Sequence, residues 1–442
     1  MRAIPLAMGV LLLGGFATAG DLTDIGTRKQ GVDWARFLGP SGDSVSPETG
    51  ILTRWPKEGL RVVWSKRLGG GYAMPAISRG RAFVFDRVDD EQRLQCLNSE
   101  TGELLWTFKY PSDYEDKYNY SGGPRSFPVV DGDRVFIFGP EGMLFCLQAA
   151  DGKEVWKVDT AKDFGVVQNF FGVGSTPVVD GDLLLVMVGG SPPDSRGLPF
   201  VRVRSNGSAL VALDKMTGKV RYQTGEDLAA YASPVLTSVN GRRWCFLFAR
   251  SGLLGIDPAS GKTVFHHRWR ARAFESVNAS CPVVVGEHIF LSETYGPGSA
   301  LLKVKADGVE EIWSDSDKAP DDKSMQCHWM TPIHVDGHLY GCSGRHPEQG
   351  ELRCIELATG QVAWRKPGLH RTTLLRVDGH FLCLGEDGTL RLLKVSPKQY
   401  EEVAVMKKVD HYPCWAAPIL SHGLLYARGR DKLTCLELIP AK

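Results

Sequence analysis

Short apolar runs recur along most of the chain, each closed by a glycine-containing turn. Ser126–Phe138 reads SFPVVDGDRVFIF, Ser175–Met187 reads STPVVDGDLLLVM and Met330–Tyr340 reads MTPIHVDGHLY. In each unit a Pro opens a short apolar run that ends in a tight turn: Asp131-Gly132, Asp180-Gly181, Asn240-Gly241, Asp336-Gly337 or Asp378-Gly379. Asp-Gly and Asn-Gly supply the positive φ angles of a two-residue hairpin turn. A second run alternates, as in Val135-Phe136-Ile137-Phe138, and a third carries leucines, as in LFCL and LVAL. A second turn follows at Thr101-Gly102, Asp151-Gly152, Thr217-Gly218, Ser260-Gly261, Asp307-Gly308 and Thr359-Gly360. Soon after that Gly stands a large ring: Trp106, Trp156, Tyr222, Phe265, Trp313 or Trp364. Each unit therefore predicts a four-stranded antiparallel meander, and the rings are predicted to pack between neighbouring units.

The opening positions are Pro75, Pro128, Pro177, Pro234, Pro282, Pro332, Thr373 and Pro418, which makes eight units spaced 41 to 57 residues apart. Four short strands repeated near this period predict an all-β fold, an eight-bladed β-propeller. The last unit stops at Leu438 without its fourth strand, while Arg61-Val62-Val63-Trp64 has the fourth-strand pattern ahead of the first unit. The N-terminal strand is thus expected to complete the last blade, closing the ring and removing a free sheet edge. This divides the chain into residues 1–19, an arm over 20–59 and the propeller over 60–442. Aromatic and turn residues in DWARFLGPSGDS, Asp33–Ser44, predict an arm that packs on the propeller.

Charge changes the picture little: 52 basic residues face 51 acidic ones among 442, which favours neither nucleic acid nor an anionic membrane surface. Arg2, the apolar run Ile4–Phe16 and Ala17-Thr18-Ala19 read as a signal peptide cleaved near Ala19. The mature chain is then exported, periplasmic or extracellular, with no transmembrane span, and is expected to be a monomer. Of ten cysteines, Cys96, Cys146, Cys354 and Cys435 occupy one repeat position as small buried residues. Cys281, Cys327, Cys342, Cys383 and Cys414 are less regular and can supply one or two disulfides. His328 beside Cys327 lacks the spacing of a zinc site.

The phrases Ala212-Leu213-Asp214-Lys215-Met216-Thr217-Gly218-Lys219 and Cys96-Leu97-Asn98-Ser99-Glu100-Thr101-Gly102-Glu103-Leu104-Leu105-Trp106 resemble the repeat of the pyrroloquinoline quinone (PQQ)-like propellers. The resemblance covers roughly Leu60 to Leu438. It implies either of two functions. One is that of quinoprotein alcohol dehydrogenases, which use PQQ and calcium. The other is that of the propeller subunit of the outer-membrane β-barrel assembly machinery, which binds proteins. The chain lacks the adjacent cysteine pair of the dehydrogenases, a Cys-x-x-Cys-His haem motif and a lipoprotein cysteine after the apolar run.

The repeated turns share one face, so the long inter-blade segments, including Tyr110–Arg125, Ala161–Gly174, Arg270–Ser280 and Asp315–Met330, fall on the other. Long loops on a rigid scaffold carry function. Segments just before each Pro lie nearest the channel and hold Arg125, Asn169, Tyr231, Glu275, Asn278, His328, Trp329 and Trp415, with Glu293 and Arg345 after second strands. Arg125 and Arg345 suit the carboxylates of a quinone. Glu275, Asn278 and Glu293 offer hard oxygens for calcium, and Trp329 or Trp415 can stack on a flat ring. The reading is an exported binding or scaffold protein that takes a protein or small ligand on the long-loop face. The alternative is a PQQ- and calcium-dependent oxidoreductase acting on alcohols or sugars.

Overall fold

The computed structural model describes residues 22–441, so the signal-peptide reading lies outside the described residues. Eight four-stranded antiparallel sheets form the eight blades of a propeller, one gaining a fifth strand from the N-terminal arm. Their inner strands are Ala76–Ser78, Val129–Asp131, Val178–Asp180, Val235–Val239, Val283–Val285, Ile333–Val335, Thr372–Val377 and Ile419–Ser421, in blades 1 to 8. The fourth strand of blade 8 is Val62–Arg67, which pairs antiparallel with Lys432–Glu437. The N-terminal strand thus closes the ring, as the repeat count requires. Among the described residues helix is limited to Thr160–Phe164 and a few single 3-10 turns, and no helix is long and apolar enough to cross a membrane.

The core lies between blades rather than within one centre. Seven apolar clusters fill the junctions, and the largest spans blades 7, 8 and 1 together with Trp34, Ile51 and Leu60 of the arm. At six junctions an outer-strand ring donates a hydrogen bond to a carbonyl in the next blade's second turn. Trp64 reaches Ser99, Trp106 reaches Ala149, Trp156 reaches Lys215, Tyr222 reaches Pro258, Trp313 reaches Leu357 and Trp364 reaches Ser396. At five of these a turn glycine lies under the ring, while the Ser396 turn that meets Trp364 has none. Gly152 has φ +75°, and a Cβ there would sit 2.5 Å from Trp106, so conformation and space both demand glycine.

The same contact explains the repeated cysteine. Cys96, Cys146, Cys354 and Cys435 lie directly opposite Trp106, Trp156, Trp364 and Trp64 across the third and fourth strands, with a register shift beside each pair. A small side chain leaves room for the ring. In blade 7 the sizes are exchanged, with Leu392 opposite Ala404. All ten cysteines are buried and unpaired, which corrects the disulfide expectation. Cys281 instead serves a run of hydrogen bonds along the channel that joins the residues before Pro128, Pro177, Pro234, Pro282 and Pro332. Phe127 N donates to Thr176 Oγ1 (3.0 Å), Thr176 N to Ser233 Oγ (2.9 Å), Ser233 N to Cys281 Sγ (3.2 Å) and Cys281 N to Thr331 Oγ1 (3.0 Å).

The arm runs along the channel side of the ring. Trp34 pairs with Ile77 of blade 1, and Val45–Ser46 runs parallel to Arg376–Val377 of blade 7. The Glu48 carboxylate accepts the backbone N–H groups of His422 and Gly423 in blade 8, at 2.8 and 2.7 Å.

The ring-on-glycine contact sets a graded expectation at Trp156. Replacing Trp156 by Phe removes the 3.0 Å bond to Lys215 O and should cost about 1 kcal/mol. Trp156→Ala also opens a cavity and should cost about 3–5 kcal/mol. Urea unfolding measures both, and equal losses would contradict a hydrogen-bonded stitch.

Candidate functional site

The segments before the Pro positions bring aromatic rings from blade after blade to one channel mouth on the long-loop face. One run of contacts passes from Tyr72 to Trp415 (4.7 Å between centroids), Trp329 (5.6 Å), His328 (4.9 Å) and Tyr295 (5.6 Å). A second leaves Trp415 through Tyr120 (5.6 Å), Phe171 (5.9 Å) and Tyr231 (5.6 Å). Phe171 N donates to the Tyr231 hydroxyl at 2.9 Å. Beyond it Phe170 meets Phe200 and Phe274 edge-on.

Four arginines lie against these rings. Arg125 stacks over Tyr72 and Phe171, Arg345 over Tyr295, Arg371 over Trp329 and Trp415, and Arg250 over Phe200. Arg125 is held by Asp116 and by the carbonyls of Ser121 and Phe171. Arg371 forms a two-point pair with the buried carboxylate of Glu386, Nε to Oε1 at 3.0 Å and Nη2 to Oε2 at 2.6 Å. Trp415 Nε1 donates to that carboxylate at 2.9 Å, and Trp329 Nε1 donates to Trp415 O at 2.9 Å. Burial works against the Glu386 charge, but the bonds from Arg371 and Trp415 hold its carboxyl below its ordinary value.

Tyr295 Oη and His328 Nε2 lie 3.0 Å apart. Burial, reinforced by Arg371, Arg345 and His346, pushes the His328 imidazole down to about 3. Burial likewise pushes the Tyr295 phenol up to about 12. Neither group exchanges protons near neutrality, so the pair forms part of the wall. This is unlike an acid–base couple tuned to its working pH.

Among the residues singled out in the sequence, Arg125, His328, Trp329, Arg345 and Trp415 belong to this mouth, as do Tyr231 and, through Phe170, Asn169. Of the three oxygen donors considered for calcium, only Glu293 has its oxygens engaged within the chain, and the Asn278 side-chain oxygen is buried without a partner. The Glu293 carboxylate accepts the N–H groups of Tyr295 (2.8 Å) and Gly296 (2.7 Å), and burial raises its pKa. The buried Asn278 amide donates to Ala249 O and Trp269 O, while Glu275 is exposed. Among the described residues the trio of acidic and histidine side chains close enough to share an ion is Asp410, His411 and Asp431, and it contains none of these. Sequence reasoning missed Tyr72, Arg371 and Glu386. Tyr72 and Glu386 carried a usable signal, since Tyr72 precedes Pro75 as Trp415 precedes Pro418 and Glu386 follows its second strand as Glu293 does.

A family model described as outer membrane protein assembly factor BamB matches residues 90–366, more than half of the chain, and the chain belongs to this family of PQQ-like repeat propellers. It is 24% identical over 317 residues to quinohemoprotein alcohol dehydrogenase ADH-IIG of Pseudomonas putida, covering 68% of this chain and 35% of that protein. It is 22% identical over 267 residues to BamB of Yersinia pestis, covering 59% of this chain and 60% of that protein. The chain thus spans under two thirds of the length of both relatives. BamB from Moraxella catarrhalis superposes with a TM-score of 0.58 at 15% identity, over 86% of this chain and 98% of that one. Quinohemoprotein alcohol dehydrogenase from Comamonas testosteroni does so with 0.53 at 14% identity, over 93% and 81%. These structural likenesses concern the fold.

Two measurements test the mouth. Glu386→Ala leaves the Arg371 guanidinium and Trp415 N–H without their acceptor and should cost about 3–5 kcal/mol in denaturant unfolding. A loss under about 1 kcal/mol would mean that the pair behaves as a surface ion pair. His328 has a folded pKa below its unfolded value of about 6.5, so the unfolded chain takes up the proton first as pH falls. Its contribution is full above that value and is lost progressively towards pH 3. Stability of the wild-type chain should therefore fall more steeply between pH 6.5 and 4.5 than that of His328→Phe, and parallel curves would contradict the assignment.

Proposed function

We propose that this chain is an exported scaffold protein that binds a protein partner on its long-loop face. The observation that carries the reading is the aromatic mouth, which continues outward into exposed rings. Tyr118, Tyr120 and Tyr412 are 44%, 58% and 55% exposed, and Leu198 and Val201 stand exposed on a neighbouring loop. Aromatic side chains with one apolar face and one polar end suit protein interfaces. The charges beneath them, Arg125 with Asp116 and Arg371 with Glu386, are already matched within the chain. Such a base holds a contact surface in shape and leaves its outer rings for a partner. Membership of the BamB family supports the same reading, as does a BamB structure whose length the fold covers almost entirely.

A PQQ- and calcium-dependent oxidoreductase is the second reading, supported by the quinohemoprotein relatives and by arginines stacked on rings. The engaged carboxylate of Glu293 and the exposed position of Glu275 do not fit a shared calcium site, so no chemical step is derived through these groups.

The test is site-specific photo-crosslinking in the cells that export the protein. A photoreactive phenylalanine at Tyr120 or Tyr412 should capture one discrete protein. The same group at Val220, on an outer strand, should not. Crosslinks from Val220 alone, or none from either tyrosine, would overturn the proposal.

A further inference from the structure

The central channel is only partly filled by the chain's own arm. The arm enters as added backbone. Trp34 and Ile77 exchange two N–H to O bonds of 2.9 Å, Val130 N donates to Ala35 O at 2.8 Å, and Val45–Ser46 pairs with Arg376–Val377. These contacts occupy inner edges of blades 1, 2 and 7. The inner strands of blades 3 to 6, Val178–Asp180, Val235–Val239, Val283–Val285 and Ile333–Val335, end their sheets with no further strand among the described residues. They border a cavity of about 960 Å³ that extends from Pro234 and Pro282 to the turns at Asp131, Gly181 and Gly286, with arm residues 33–43 as its other wall. That size lies at the upper end of the range for ligand sites, about 300–1,000 Å³.

We propose that this open half of the channel takes an extended peptide segment of a partner protein, with alternate apolar side chains, as an added β-strand. Two properties of the wall specify the ligand. Val178, Val179, Val235, Leu236, Val283 and Val284 form an apolar, mostly β-branched stretch of a wall that also carries polar groups such as Ser233, Thr237 and Thr331, a surface that suits a strand of alternating apolar and polar side chains. The inner strands also present backbone edges, and an edge N–H or C=O away from water needs a backbone partner. Charged groups add little selectivity because they are engaged within the chain. Lys215 pairs with Asp131, Asp33 accepts from Ser78 and His422, and Arg36 donates to Gly39 O. A small apolar molecule would fill the volume and leave the strand edges unpaired. A peptide strand satisfies both demands, by the mode the arm already uses on the adjoining edges. The proposal concerns the channel and is independent of the long-loop face.

The test uses the intact chain with a capped heptapeptide of alternating Val and Thr, followed by hydrogen exchange and mass spectrometry. The peptide should slow exchange over residues 178–180, 235–239 and 283–285. N-methylation of alternate peptide nitrogens should weaken binding at least about tenfold, the loss of one to two net backbone hydrogen bonds. Thr237→Trp fills the channel from blade 4 and should abolish the protection. Ser41→Trp does so from the exposed arm loop, and serves if the first variant fails to fold. No protection at about 1 mM peptide would overturn the proposal. So would equal binding of the N-methylated peptide, which would leave a cavity for small apolar molecules, or protection confined to the long-loop face.

Discussion

One aromatic ring laid over one glycine turn of the next blade is the contact on which the rest of this propeller depends. It combines apolar burial with a hydrogen bond, and at the junctions made by Trp64, Trp106, Trp156 and Tyr222 it fixes three residues: the ring, the glycine beneath it and the small residue opposite it. The two junctions that lack the bond have identifiable causes. Between blades 4 and 5 the ring is Phe265, which has no donor. Between blades 7 and 8 the acceptor turn does not exist, because the fourth strand of blade 8 comes from Val62–Arg67 and no hairpin joins it to Lys432–Glu437. Ala404 stands where the other blades carry a ring, and Met406 of the same strand packs against Gly59 of the arm. Ring closure and the loss of the stitch are one event seen from two sides.

A ring so fixed holds its loops in register, and the long-loop face uses that rigidity. Residues far apart in sequence, such as Tyr120, Trp329 and Trp415, meet through their rings, and Arg125 and Arg371 among them are steadied by carboxylates and carbonyls of this chain. His328 is kept neutral by burial and by the positive charge around it, and Tyr295 by burial. These features describe a preorganised surface that pays its ordering cost on folding rather than on binding. They do not describe a proton-transfer centre.

Most of the scaffold was legible in the sequence because its physics is local. Asp-Gly turns, alternating runs and ring spacing report directly on backbone and burial, and counting them gave eight blades and the donated strand. The mouth was legible in part. Trp329, Trp415, Arg125 and His328 sit just before a Pro and so enter an inner strand near the axis. Arg371 was not legible, since Thr373 replaces the Pro that marks the other inner strands, and its pairing with Glu386, which follows a second strand as Glu293 does, is set by tertiary contact. The cysteines misled for a related reason. An expected export suggests disulfides, whereas Cys281 is an acceptor in a run of hydrogen bonds and Cys96, Cys146, Cys354 and Cys435 make room for rings. The arm's route along the inner edges carries no sequence signal beyond its aromatic residues, because backbone pairing is indifferent to side-chain identity.

The central claim is that family membership here brings a binding surface without the quinone site. A thermal unfolding scan of the chain, with and without PQQ and calcium, tests it most directly. A ligand at about 100 times its dissociation constant adds about 2.7 kcal/mol to stability, a shift that such a scan resolves. The account predicts superimposable transitions with both additives present. An upward shift that needs PQQ and calcium together would contradict it.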